Sequence, residues 1–177
     1  MSGNCGNPQM SSRLSFRHAV AILAVAAAWL IPFSATRAED AASDRTIVFV
    51  CLHGVVNSQI AAAYFNKVAK ERGLPFRAVS RGIEMYWTIP VRIRDGLAID
   101  GLEPANLPNA LTPYEASHAS RVLAFDTIPV ERKGDANVTY WSGVPLGIQD
   151  YEAARNEIAR RVEELIPKLA NEATHSD

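Results

Sequence analysis

Between Thr46 and Lys70 the chain reads TIVFVCLHGVVNSQIAAAYFNKVAK, and this stretch constrains the fold more than any other. Thr46 to Cys51 is apolar and β-branched, without the alternation of a half-exposed strand, so it predicts a strand covered on both faces. A short loop with one glycine, Gly54, leads into an alanine-rich segment. There Ala61, Tyr64, Phe65 and Val68 recur at helical spacing and Gly73 closes the helix. A buried strand feeding a helix through a short loop is the opening of a parallel α/β unit.

Further along, the pattern repeats with different material. FRAVSRG predicts a second strand, EMYWTIP an aromatic loop, and VRIRDGLAIDG a helix entered through Pro90. Thr112 and Pro113 start a short helix, RVLAF is a third strand closed by Asp126, and NVTYW a fourth, followed by the turn SGVPLG. A last helix begins at Asp150, a good N-cap, and presents Tyr151, Ala154, Ile158, Val162, Leu165 and Leu169 on one face. The expected architecture is a three-layer α/β fold: a small parallel four-stranded sheet with helices on both faces and right-handed crossovers. Ligands in such folds sit at the carboxyl ends of the strands, and both Cys51 and Asp126 belong to that edge.

The loop suggests chemistry. Leu52, His53, Gly54, Val55, Val56 and Asn57, held between a strand and a helix, aim successive backbone N–H groups at one point. The first helical turn adds its unpaired amides and the positive end of its dipole. A tetrahedral oxyanion fits there, and the same field favours Cys51 as the thiolate. Ser58, seven residues after Cys51, opens the helix and can hydrogen-bond the sulfur. A thiolate beneath a bound phosphate is placed for in-line attack and a phosphocysteine intermediate. A cysteine at a strand end can also be a small buried hydrophobe; the strand–loop–helix setting with Ser58 at its seam favours the nucleophile. His53 either donates to the oxyanion or only shapes the loop. The histidines are far apart in sequence and no companion cysteine stands at ligand spacing, so neither a metal nor another cofactor is expected.

These residues resemble the low molecular weight protein tyrosine phosphatase family, which includes related arsenate reductases. Its loop reads C-x-x-x-x-x-R-S directly after the first strand. Cys51 takes the nucleophile position, Asn57 the arginine position and Ser58 the serine position. A histidine two after the cysteine and SQIA at the helix start are similar to the arsenate-reductase branch. VSRGIE stands where the family has a Ser-Ala-Gly turn, and LTP, VLAFD and YEAARNEIARRVEEL follow in family order. The resemblance implies a phosphate or similar oxyanion as ligand, carried by a phosphorylated protein or a small phosphate ester. It also implies an aromatic wall at Tyr86 and Trp87, although aromatics packed on the second helix are the plainer alternative.

Two departures bear on activity. Asn57 offers an amide but neither the bidentate fork nor the charge of arginine. The family's general acid is an aspartate before the last helix, whereas WSGVPLG has no carboxylate there, which leaves Asp126 as the candidate acid. The resemblance therefore implies weak phosphotyrosine-type hydrolysis through Cys51. One alternative is a catalytically degraded module that binds an oxyanion or a partner. Another is an arsenate reductase served by an external thiol, because Cys5 and Cys51 are the only cysteines.

Composition narrows the setting. Arg13, Arg17 and His18 precede AVAILAVAAAWLIPF, an apolar run of 15 residues, and SATRA follows before acidic ED. This is the layout of a secretory signal peptide over 1–38, cut after Ala38, and the run is short of the ~20 residues of a membrane span. A linker at 39–45, a phosphatase-like domain at 46–170 and a tail at 171–177 complete the division. Without Arg13, Arg17 and Arg37, 15 basic residues face 19 acidic ones, a net charge of −4 with no basic block, so nucleic acid is not an expected partner. The expected product is exported to a periplasm, free of the membrane once the leader is cut, with Cys51 as its one thiol in an oxidising compartment. An uncleaved N-terminal anchor is the alternative; mass spectrometry of the protein from its host is expected to find an N-terminus near Glu39, and a full-length cytoplasmic product would contradict export.

Overall fold

The computed structural model describes residues 45–175. The leader and all but the last residue of the linker lie outside them. Strands β1 (Thr46–Cys51), β2 (Arg77–Gly82), β3 (Arg121–Ala124) and β4 (Val138–Tyr140) form one parallel sheet in the order β2-β1-β3-β4. Helices are α1 (Asn57–Glu71), α2 (Val91–Ile99), α3 (Pro113–His118), α4 (Val130–Lys133) and α5 (Tyr151–His175). The three layers are those expected, and the reason is visible in β1. Ile47 and Phe49 face one apolar cluster, with α1, α2 and α5, while Val48 and Val50 face a second, with α3. A strand buried on both faces must be apolar throughout.

Differences from the expectation are local. α4 follows Pro129 and has four residues, too few to print a periodic pattern, so the sequence gives no sign of it. β3 and β4 are one or two residues shorter than their apolar runs. α5 is capped as expected, with the Ala153 N–H donating to Asp150 Oδ1 at 3.0 Å. It continues to His175, through most of the segment read as a tail. Thr112 and Glu115 form a reciprocal capping box at α3.

A polar cluster ties the helices of the larger core together. Tyr151 donates to Asp100 Oδ2 at 2.8 Å and Arg155 Nη1 to Asp100 Oδ1 at 2.7 Å. Burial, with the Asp100 carboxylate beside it, pushes the Tyr64 hydroxyl up to about 12, so it stays a neutral donor.

The sheet's carboxyl edge is held by two glycines. Cys51 pairs with Gly82 across β1 and β2, and the loop after β1 doubles back over that strand end. Gly54 has φ +68°, and a Cβ on it would lie 2.6 Å from the Gly82 nitrogen. A Cβ on Gly82 would lie 2.4 Å from the Glu84 carbonyl oxygen and 2.8 Å from the His53 carbonyl carbon, all rigid backbone. Gly82→Ala is therefore expected to cost about 1–3 kcal/mol in urea unfolding. Gly73→Ala, with φ +63° and nothing within 4 Å, should cost only the left-handed strain of about 1–2 kcal/mol and leave the site unchanged. Equal stability and unchanged anion protection of Cys51 in Gly82→Ala would show that the strand end is not pressed against the loop.

Candidate active site

Cys51 ends β1, buried but for 6 % of its surface, and its Sγ lies 2.9 Å from Ser58 Oγ on the first turn of α1. Ser58 Oγ is in turn 2.8 Å from Ser80 Oγ on β2, which lies 3.0 Å from the Gly54 carbonyl oxygen. Both serines are fully buried. Each hydroxyl has one proton, so the chain can be polarised in two directions. With Cys51 as a thiol, its proton points to Ser58, Ser58 donates to Ser80, and Ser80 donates to Gly54. With Cys51 as a thiolate every donor reverses: Ser80 donates to Ser58 and Ser58 to the sulfur. The Gly54 carbonyl is not then orphaned, because Gln59 Nε2 also donates to it at 3.3 Å. The network satisfies a charged sulfur without stranding a buried acceptor, which would otherwise cost about 1–3 kcal/mol.

Ser80, Gln59 and Asn106 were not singled out from the sequence. Asn106 holds the Ser80 backbone like a missing strand, accepting from its N–H at 2.7 Å and donating to its carbonyl at 3.1 Å. Gln59, fully buried, donates to the Asn106 carbonyl at 3.0 Å and accepts from the Ala105 N–H at 3.2 Å. One signal was available. Ser80 places a hydroxyl on an inward position of a buried strand, where a polar group needs a partner.

The other predicted residues divide. Gly54 turns the loop, Val55 is buried in the larger core, and Val56 packs beside it with its carbonyl accepting the first two helical amides, of Gln59 and Ile60. His53 stands at the rim, its Nε2 3.7 Å from Glu84 Oε2 and its ring 5.3 Å from that of Tyr86. Tyr86 and Trp87 are exposed, Trp87 by 81 %, and the Tyr86 ring lies beside His53 of the loop. Asp126 does reach the loop, but as an acceptor: its Oδ2 takes the Leu52 N–H at 2.8 Å. That carboxylate occupies one of the amides assigned to phosphate.

The Asn57 side chain is taken up by the loop before α5. Nδ2 donates to the Pro145 carbonyl at 3.0 Å, and Oδ1 accepts the Gly147 N–H at 2.9 Å. Gly147 lies so close above α1 that a Cβ there would meet Ile60 Cδ1 at 2.8 Å. Val144, one residue before Pro145, packs against the core. The residue at the arginine position is thus spent on clasping the 142–149 loop, the one that lacks the acid. The two departures from the phosphatase pattern touch each other.

Among the described residues no group of three His, Cys, Asp or Glu side chains is gathered to hold a metal. Solved structures carry the same fold. An arginine phosphatase from Geobacillus stearothermophilus superposes with a TM-score of 0.63 at 24 % identity, over 75 % of this chain and 97 % of that one. A low molecular weight protein tyrosine phosphatase from T. tengcongensis gives 0.59 at 19 %, over 70 % and 98 %. An arsenate reductase from Archaeoglobus fulgidus DSM 4304 gives 0.53 at 24 %, over 68 % and 98 %. No family model and no curated protein matches the chain. The described domain has the fold of the low molecular weight protein tyrosine phosphatases, with Cys51 at the end of its first strand as in their sequence pattern.

Asn57→Ala removes both clasp bonds and strands the Gly147 N–H and the Pro145 carbonyl. It is expected to cost about 1–3 kcal/mol and to speed amide exchange selectively at Gly147 and its neighbours. Unchanged exchange there would show that the loop is held by its apolar contacts alone.

Proposed function

We propose that this protein is a phosphate monoester hydrolase of low turnover, acting through a phosphocysteine at Cys51. The observation that carries the reading is the Cys51–Ser58–Ser80 chain, which is arranged to support a sulfur that carries charge and later leaves phosphorus. The thiolate attacks phosphorus, an S–P bond forms, and the ester P–O bond breaks. Water then attacks phosphorus, the S–P bond breaks, and inorganic phosphate leaves with the thiolate restored. Loop amides and the α1 N-terminus supply the polar cradle. Low turnover follows from the residue pattern: losing one preorganised donor typically costs ~3 kcal/mol in the transition state, and Asn57 replaces both a donor fork and a charge. Aryl esters of the phosphotyrosine type suit the site best, because their leaving oxygen least needs the acid that the 142–149 loop lacks. The arginine phosphatases of the same fold act on a nitrogen leaving group, which must be protonated to depart, so that substrate suits this loop less. Export, with the domain working in the periplasm, belongs to the same reading and rests on the leader alone.

A second reading has its own support. The Asn57 clasp and the Asp126 carboxylate on the Leu52 amide favour a module that binds an oxyanion or a partner without turning it over. Arsenate reduction remains a reading only with an external thiol.

Purified mature protein is expected to hydrolyse an aryl phosphate slowly, to lose that activity in Cys51→Ser, and to be protected from Cys51 alkylation by vanadate. An alkyl phosphate should be at least ~10²-fold slower, the usual share of a general acid. Vanadate protection with identical background rates for wild type and Cys51→Ser would favour the binding module.

A further inference from the structure

Four segments emerge at the carboxyl edge of the sheet, one after each strand: 52–56, 83–90, 125–129 and 141–150. None contains a lysine or an arginine. Nor does 101–111, which carries Asn106 into the site. Those same segments carry Asp126, Glu84, Asp150 and Glu103. Asp126 accepts from Leu52 within the loop, Glu84 stands beside His53, and Asp150 caps α5. Among the cations of adjoining elements, Arg161 on α5 reaches the 141–150 segment, where it donates to the Ser142 carbonyl at 2.8 Å, and it is paired with Glu157. Arg81 on β2 donates to Glu115 at 2.6 Å, and Arg132 on α4 faces the Leu111 carbonyl. Arg92 on α2 lines a cleft with three carboxylates, Asp95, Asp150 and Glu152. His53, at the rim, has Glu84 beside it. A thiolate in this setting has a helix dipole to oppose it and no lysine or arginine in the five segments around it.

We infer that the site takes its phosphate monoester as the monoanion, protonated once, and discriminates against the dianion. The inference rests on the reading of the Cys51 loop as a phosphoryl site and names the ionic form that the site admits. A dianion at the loop would face the thiolate of the buried Cys51 and, at the exposed edge, the Asp126 carboxylate that holds the Leu52 N–H, so it meets like charge from both. A monoanion halves that repulsion and gives Asp126 a hydroxyl to accept from.

The same proton repairs the other deficit. The thiolate attacks the phosphorus of ArO–PO3H⁻, the S–P bond forms and the aryl P–O bond breaks. The phosphoryl proton moves to the departing oxygen, leaving ArOH and Cys–S–PO3²⁻. Water then attacks, giving H2PO4⁻ and the thiolate. Charge and atoms balance in both steps; the substrate's own proton serves an aryl leaving oxygen, while an alkyl oxygen still lacks a positioned acid.

The test separates the ligand's protonation from the protein's. The ligands are phosphonates, whose P–C bond the protein does not hydrolyse, so the wild type, with the Cys51 thiolate in place, is the protein measured. Its affinity would be measured between pH 4.5 and 8.5 for benzylphosphonate and α,α-difluorobenzylphosphonate, near-isosteric ligands whose second ionisation fluorine moves to lower pH. Binding is expected to weaken about tenfold per pH unit above each ligand's own second pKa, with the break displaced to lower pH for the fluorinated one. Asp126→Asn, which keeps an acceptor for the Leu52 N–H, should restore part of the dianion affinity. Flat profiles, one break shared by both ligands, or no binding of either at any pH would overturn the inference. Ligand-tracking breaks in a wild type that does not hydrolyse an aryl phosphate would support it while removing the hydrolase reading.

Discussion

Gly54 and Gly82 meet backbone to backbone, and the loop after β1, with Ser58 and Ser80, is arranged around that contact. Because no side chain intervenes, the loop after β1 can lie directly on the end of β2. The segment that follows Gly82 then binds back, with the Ile83 and Glu84 amides donating to the Cys51 and Leu52 carbonyls. Ser80 comes under Gly54 and Ser58 as a consequence, and the sulfur of Cys51 gains its hydroxyl partner. A polar chain of this kind is favourable only when every member is satisfied. Here Gln59 provides the spare donor that lets it accommodate either protonation state of the thiol.

On the other side of Cys51 the same edge is rebuilt for a different purpose. Asn57 joins α1 to the 142–149 loop through a donor and an acceptor. An arginine has five donors and no acceptor, so it cannot take the Gly147 N–H. The asparagine and the acid-free loop are therefore one change rather than two. The clasp stabilises the loop where a phosphatase of the usual pattern would spend both groups on the transition state. Fold alone does not fix the outcome of such an exchange; the groups at the site do.

Much of this was legible in the sequence because it depends on local patterns. The two-sided burial of β1, the helical spacing in α1 and α5, the Asp150 cap and the Cys51–Ser58 spacing are each written in consecutive residues. What escaped depends on distant ones. The partner of Asn57 lies 88 residues away at Pro145, and that of Leu52 lies 74 residues away at Asp126. Asn57 looked like an anion ligand because position suggests direction, yet a short side chain at a helix start can turn outward to a neighbouring loop as readily as inward. Ser80 and Asn106 act through a pairing across β2 that no linear motif contains.

Under the proposed function the Cys51 loop is a phosphoryl cradle with its nucleophile and helix dipole in place, one loop amide held by Asp126, and the charge of an arginine missing. The most direct measurement is the rate of aryl phosphate hydrolysis by Asn57→Arg, with its unfolding free energy taken in parallel. The substitution is expected to lower stability, since the Gly147 N–H loses its acceptor. It should raise the aryl phosphatase rate at least about tenfold, a conservative part of what one oxyanion donor contributes. A folded Asn57→Arg protein whose rates with aryl and alkyl phosphates both stay at the level of Cys51→Ser would contradict the account.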